Sequence, residues 1–256
     1  MELVLIGAEC PEERAFGGSL GAGQGVQRFW RSVTGTLLDA GPGRCRVTTV
    51  HPEADANAAL SALKQAAARG GRLLLVYLAG QLAWDPRRRR PVLVVAGSLR
   101  ENAAHRGLAC DWVTSAVAHC GQTESLLVLD LAAEPAAWQE WPDWATQELG
   151  VPAWGRIVRH DVPRRGRAPA DGRAGLFAEA LADLLDAGLP GAPAVLDPAV
   201  LDARLPFRPG PAPAVGKGEK HRQERAPSHL VEPPKESRLL LRNRAVLRGS
   251  LRSALT

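Results

Sequence analysis

Short apolar runs alternate with longer amphipathic stretches over the first 207 residues of the chain. The runs at 2–8, 72–79 and 124–132 have the length of strands and contain few polar side chains, which is typical of strands buried on both faces of a sheet. An Ala-rich stretch at 55–71 has the length and the glycine stop of a helix. This alternation predicts an α/β domain: a three-layer αβα sandwich with a mostly parallel central sheet.

The composition changes after this region. Residues 208–236 are rich in Pro, Gly and charged side chains, which predicts a linker that does not fold alone. Residues 237–256 place Leu and Val roughly on one helical stripe and Arg elsewhere, which predicts a basic amphipathic helix for a partner groove or an acidic surface; a disordered tail is the alternative. The residues expected to bind this partner are Arg242, Arg244, Leu247, Arg248 and Leu251.

The charge is distributed unevenly. Residues 208–256 hold eleven basic and four acidic side chains, a net charge of +7, so residues 1–207 carry −2 of the total of +5. We therefore expect no DNA binding by the globular part. No apolar run approaches the roughly 20 residues of a membrane span, and no basic leader precedes the first strand.

The cysteines predict neither a zinc site nor a disulfide framework, because none of the four lies in a CxxC pair. We expect reduced thiols, a cytoplasmic location, and no metal or cofactor. The cysteines are Cys10, Cys45, Cys110 and Cys120.

Two of the buried runs end at positions about fifty residues apart, the separation of the catalytic pair in caspases. The stretch HPEADANAALSALKQAAARGGRLLLVYLAG leads into Gln81, and SLLVLDLA ends at Ala132; LIGA near the start and GLFAEALADLLDAG near the end fit the same order. Over most of residues 1–207 the chain resembles bacterial caspase-like domains, the metacaspase-type peptidases of family C14. The resemblance implies a caspase-like sandwich of the cysteine-protease type.

Both catalytic positions are substituted. In the resemblance the first run ends in a His-Gly pair, which falls on Gln81 and Leu82, while the second ends in an Asp and a nucleophilic Cys, which fall on Asp130 and Ala132. A methyl group is no nucleophile, and a neutral amide does not transfer protons near pH 7. We therefore predict a pseudo-peptidase rather than an enzyme.

The predicted function is that of a regulatory, scaffolding or peptide-binding subunit, paired with an active homologue or another enzyme. Asp130 and Gln81 are the residues expected to bind the peptide, since the resemblance assigns Asp130 to a pocket for a basic side chain; alternatively, Asp130 only caps a turn. Two other functions stay open. One is an active cysteine peptidase with displaced residues, for which His119 and Cys120 are the best pair, and the other is an unrelated doubly wound protein that binds a small molecule.

Three further stretches have two interpretations each. The arginine run at 87–90 is expected to border the same cleft and attract an acidic partner, or to be a solvated loop. The Gly-rich stretch at 17–25 lacks the spacing of a phosphate-binding loop, which favours a surface loop. Trp138, Trp141 and Trp144 have helical spacing, which favours core packing for at least one of them or an interface anchor for the set.

Overall fold

The computed structural model describes residues 1–10, 21–37, 44–99, 101–161, 176–207 and 228–246. The strands are β1 (Glu2–Gly7), β2 (Arg46–Val50), β3 (Gly71–Asp85), β4 (Arg90–Leu93), β5 (Leu108–Ala109), β6 (Gln122–Ala133), β7 (Ala153–Arg159), β8 (Val195–Leu196), β9 (Ser228–Val231) and β10 (Leu241–Arg242). The helices are α1 (Ala22–Thr34), α2 (Ala56–Ala68), α3 (Ala103–Arg106), α4 (Cys110–Ala118), α5 (Pro135–Glu148), α6 (Leu176–Ala187) and α7 (Pro198–Asp202).

The main sheet has the strand order β2-β1-β3-β6-β7-β9. The first five of these strands are parallel, and β9 pairs antiparallel with β7 at the edge. The end of β3 projects past its parallel neighbours and forms an antiparallel hairpin with β4, which in turn pairs with β5. The fold is therefore an α/β sandwich with a mostly parallel central sheet, as the alternation of apolar runs predicts.

Helices cover both faces of this sheet. The helices α2, α4 and α5 pack on one face, which we call the α2/α5 face, and α1 and α6 pack on the other, which we call the α1/α6 face. Because side chains alternate along a strand, β3 sends Leu74, Val76 and Leu78 to the first face and Leu75 and Tyr77 to the second. None of the helices in the described ranges is long and apolar enough to cross a membrane.

Helix α2 begins and ends where its sequence predicts. The Asp55 carboxylate accepts a hydrogen bond from the N–H of Ala58 at 2.8 Å, which satisfies one of the free donors of the first turn. At the other end Gly70 has a φ of 72°, a left-handed conformation that glycine adopts without strain. Local signals therefore set both ends of this helix.

The sheet does not end inside residues 1–207, which corrects the domain boundary predicted there. The predicted linker at 208–236 contains β9, whose residues pair with β7 from Gly155↔Val231 to Val158↔Ser228. An edge strand needs only backbone hydrogen bonds on one side, so a short segment with few apolar residues can supply it. Composition alone therefore placed the boundary too early.

The predicted helix at 237–256 is also wrong over its first residues. Leu239 and Leu241 are buried in the core of the α1/α6 face, and β10 pairs with β8 as a strand. Arg242 donates its backbone N–H to the carbonyl of Thr36, and the Arg244 guanidinium contacts the Asp186 carboxylate at 2.7 Å. This part of the tail is thus built into the domain, because its apolar residues complete a core. The partner-binding residues predicted at Leu247, Arg248 and Leu251 lie outside the described residues.

Candidate functional site

The two positions that the resemblance assigns to catalysis lie side by side at the carboxyl end of the parallel sheet. Gln81 of β3 is in register with Ala132 of β6, which is in register with Val158 of β7. Two residues earlier, Asp130 is in register with Arg156. Alternation along each strand directs all of these side chains to the α1/α6 face. Carboxyl ends of parallel strands are where open α/β sheets hold their sites, so this row is the first candidate.

The Gln81 side chain is buried, with 5% of its surface exposed. Its backbone oxygen accepts a hydrogen bond from Val94 at 2.8 Å, because β3 continues past this residue as one arm of the hairpin. Within the described part of the chain, the amide Nε2 has no hydrogen-bond partner. The neighbouring Ala132 is fully buried and packs against Val158. The row therefore offers one unpaired amide donor beside two apolar groups.

Asp130 anchors helix α6. One carboxylate oxygen accepts hydrogen bonds from the Tyr77 hydroxyl at 2.9 Å and the Ala178 N–H at 2.9 Å, and the other accepts from the Phe177 N–H at 3.3 Å. Burial, followed by the negative charge of Asp130, raises the pKa of Tyr77 well above its ordinary value, so the phenol stays a donor. These contacts are close to the alternative interpretation of Asp130 as a cap, except that it caps the first turn of helix α6 and not a turn. The peptide-binding role of Asp130 stays a prediction.

Two polar residues of the same edge were not predicted from the sequence. Arg156 and His160 are both buried. Arg156 leaves β7 on the face that Val158 shares, and His160 directly follows the strand. The Arg156 guanidinium lies 4.2 Å from the ring centre of Phe207, which is a cation–π contact. The signal was present in the stretch AWGRIVRH, where Arg156 interrupts the apolar part of the strand and His160 follows four residues later, in the same alternation.

The displaced catalytic pair does not lie at this edge. His119 and Cys120 precede β6, at the amino end of the sheet. The His119 Nδ1 atom lies 2.8 Å from the Ser115 carbonyl, whereas the Cys120 thiol lies 4.0 Å from the carbonyl of Gln122. Each side chain contacts a backbone group, and no contact of the described residues activates the thiol through the imidazole.

Two of the other cysteines have environments that disfavour the thiolate. Burial raises the pKa of the Cys110 thiol to about 12, and it also raises the pKa of Cys45. The Cys10 thiol donates to the Ser98 carbonyl at 3.2 Å. None of the described cysteines forms a disulfide.

The strand order also defines a switch point between β1 and β3, where doubly wound sheets bind ligands. Helix α1 begins here, inside the Gly-rich stretch that the sequence analysis assigned to a loop. The carboxylate of Glu9 accepts a hydrogen bond from the N–H of Gly23 at 2.8 Å, in the first turn of this helix. A phosphate bound at a helix N-terminus would need free backbone N–H donors of this kind. The N–H of Gly23 is already bound to the carboxylate of Glu9.

The arginine run lies away from the Gln81 row, which corrects its predicted place at the border of that cleft. Residues 86–89 form the turn between β3 and β4, several residues beyond Gln81. The Asp85 carboxylate accepts the N–H groups of Arg87 and Arg88 and so holds the turn. Arg90 is buried, contacts Asp111 at 2.7 Å, and lies over the Trp112 ring.

No family model matches the chain, and no curated protein matches its sequence. Among solved structures, the chain is similar to the crystal structure of protein GSU0716 from Geobacter sulfurreducens, with 13% identity and a TM-score of 0.44. The matched region covers 74% of this chain and 82% of that chain. A similarity of this size identifies no shared function.

Proposed function

We propose that the protein is a cytoplasmic, noncatalytic caspase-like subunit that binds a peptide or protein partner at the carboxyl end of its sheet. The observation that carries this proposal is the register of Gln81 beside Ala132 on adjacent parallel strands. A caspase-type site needs an imidazole and a thiolate at such neighbouring positions, and an amide and a methyl group stand there instead.

The buried amide supports a binding role. A buried donor without an acceptor costs about 1–3 kcal/mol, and the carbonyl of a bound peptide would supply the missing acceptor for Gln81 Nε2. The flanking Ala132 and Val158 are apolar, so this hydrogen bond would form away from water and be worth more than at the surface. The pairing with an active homologue rests on the family resemblance.

A second function is favoured by one observation. The parallel strands follow the order β2-β1-β3-β6-β7, which is also the order of flavodoxin-like folds that bind small molecules at the β1/β3 switch point. The contact of Glu9 with the first turn of α1 counts against a phosphate-bearing ligand. We therefore rank small-molecule binding at this point second.

The test combines cleavage and binding of peptides with Arg, Lys or Asp at the P1 position. We expect no cleavage by the wild-type chain, thiol-sensitive cleavage by the Gln81→His/Ala132→Cys double variant, and none by either single variant. Binding of the same fluorescently labelled peptides, measured by polarisation, should weaken in Gln81→Leu. Thiol-sensitive cleavage by the wild type that disappears in Cys120→Ser would overturn the proposal in favour of a displaced peptidase. Failure of every peptide to bind would reject the peptide-binding function.

A further inference from the structure

A second site candidate lies on the opposite face of the sheet, between the β3–β4 turn and helix α5. The space there has a volume of about 320 Å³, the lower end of the range typical of small-molecule pockets. Arg88 and Arg89 line it from the turn, and Trp84 forms part of its wall. The acidic residues of α5 that line the same pocket are Glu140, Asp143 and Glu148.

These charges are not paired with one another. Within the described residues, no ion pair joins Arg88 or Arg89 to a carboxylate, although Arg90 of the same run contacts both Asp85 and Asp111. The pocket is thus lined by two guanidinium groups from the turn and by carboxylates from α5. A ligand that fits this arrangement carries both a negative and a positive group.

The backbone gives an independent reason to single out Arg89. Its φ is 51°, and it is the one residue other than glycine with a positive φ among the described residues. Glycine adopts this left-handed conformation without strain, whereas a side chain is strained there. Strain of this kind is found preferentially at functional sites. The turn therefore holds a guanidinium beside the pocket at a position where the backbone favours glycine.

We propose that this pocket binds a small zwitterion of the α-amino acid class. The ligand carboxylate would take the two-pronged hydrogen bonds that guanidinium groups offer, from Arg88 and Arg89. The ammonium group would lie against the α5 carboxylates, and the Trp84 indole would contact the ligand side chain. The site is separate from the proposed peptide site, because Gln81 and Trp84 leave opposite faces of β3.

The probes are glycine, L-leucine, L-glutamate and L-lysine, titrated into the full chain by calorimetry. The amino acid that binds most tightly is then compared with its N-acetyl derivative and its carboxamide, each of which lacks one of the two charges. We expect measurable binding of at least one amino acid and a loss of about tenfold or more for both derivatives.

The matched variants are Arg89→Gly and Arg87→Gly. Glycine suits the left-handed position, so Arg89→Gly should melt at the same temperature as the wild type or higher, yet bind at least about tenfold more weakly. Arg87 is exposed on the same turn but lines a different pocket, so Arg87→Gly should bind normally. The proposal is overturned if none of the four amino acids binds, if Arg89→Gly binds as tightly as the wild type, or if either blocked derivative binds as tightly as its parent.

Discussion

The two faces of the central sheet are completed in different ways. On the α2/α5 face, residues such as Leu63 and Val113 fill the core from helices that connect successive strands along the chain. On the α1/α6 face, the core also includes Leu239 and Leu241, which arrive from near the end of the chain. One face is thus assembled from neighbouring segments, and the other depends on a distant one.

Buried polar contacts of the α1/α6 face also join segments that are distant along the chain. On the α1/α6 face, Asp130 binds the first turn of α6, and the Trp154 indole N–H donates to Asp202 at 3.0 Å. The Asn243 side chain accepts from the N–H of Leu189 and donates to its carbonyl. The residues of these three contacts are 47, 48 and 54 positions apart. Buried hydrogen bonds over such separations specify the position of each segment, which apolar contacts alone do not.

Removal of the distant segment should have the largest effect. A chain that ends at residue 236 loses Leu239, Leu241 and Asn243, which are all buried. Two buried leucines contribute roughly 1.5–3 kcal/mol each, so the free energy of unfolding should fall by about 4 kcal/mol or more. Urea unfolding, followed by tryptophan fluorescence, measures this loss.

The matched control is a chain that ends at residue 246, which keeps every described residue of the tail. It should unfold at nearly the same urea concentration as the full chain. Equal stability of the chain that ends at 236 would show that the α1/α6 face does not need its distant segment.

Substitution of Asp130 should have the next largest effect. Asp130→Ala leaves the Tyr77 hydroxyl and the N–H groups of Phe177 and Ala178 without their acceptor, in a buried site. Hydrogen bonds to a charged group contribute about 1.5–3 kcal/mol, so we expect a loss of about 3 kcal/mol in the free energy of unfolding. Asp130→Asn keeps one acceptor oxygen and should lose less.

A double-mutant cycle with Tyr77→Phe separates the part of this loss that comes from the hydroxyl. If Asp130→Ala proves as stable as the wild type, its hydrogen bonds do not hold α6, and the residue is free for the peptide-binding role that the resemblance assigns to it.

The sequence predicted the α2/α5 face better than the α1/α6 face, for the same physical reason. The apolar run of β3 and the capping residue Asp55 are local signals, and the structure confirms the strand and the helix that they predict. At least one buried tryptophan was expected in α5, and both Trp141 and Trp144 are buried. Periodicity and capping depend only on residues a few positions apart, so a single sequence contains them.

The contacts of the distant segment leave no such signal. Leu239 and Leu241 alternate like a strand, whereas Leu240, Leu241, Val246 and Leu247 fit a helical stripe. Only the core that Leu239 and Leu241 enter decides between the two. At the candidate site, the resemblance assigned Gln81 and Ala132 to the two catalytic positions. Their exact register and the burial of the amide depend on the pairing of β3 with β6. The periodicity of a short segment does not indicate which distant strand that segment pairs with.

The smallest effect is expected for a polar contact beside the α2/α5 face. His229 of the edge strand β9 stacks on Trp138 of α5 with ring centres 3.6 Å apart, and its Nε2 atom lies 3.2 Å from the Trp138 carbonyl. Burial lowers the pKa of His229 from 6.5, although the hydrogen bond to this carbonyl acts in the opposite direction. The neutral imidazole is therefore favoured in the folded chain, and protonation favours the unfolded one.

The sign of the pH dependence follows from this direction. Because the folded pKa lies below the unfolded one, the contribution of His229 to stability is complete above about pH 6.5 and is lost as the pH falls toward the folded pKa. His229→Phe keeps a stacking ring without a titrating group, so the difference in unfolding free energy between the two proteins should change between about pH 8 and about pH 5. Since the imidazole is partly exposed, we expect a change of only a few tenths of a kcal/mol. Parallel stability profiles of wild type and variant would mean that β9 is held by its backbone pairing with β7 alone, and that the edge of this face carries no polar anchor comparable to those of the α1/α6 face.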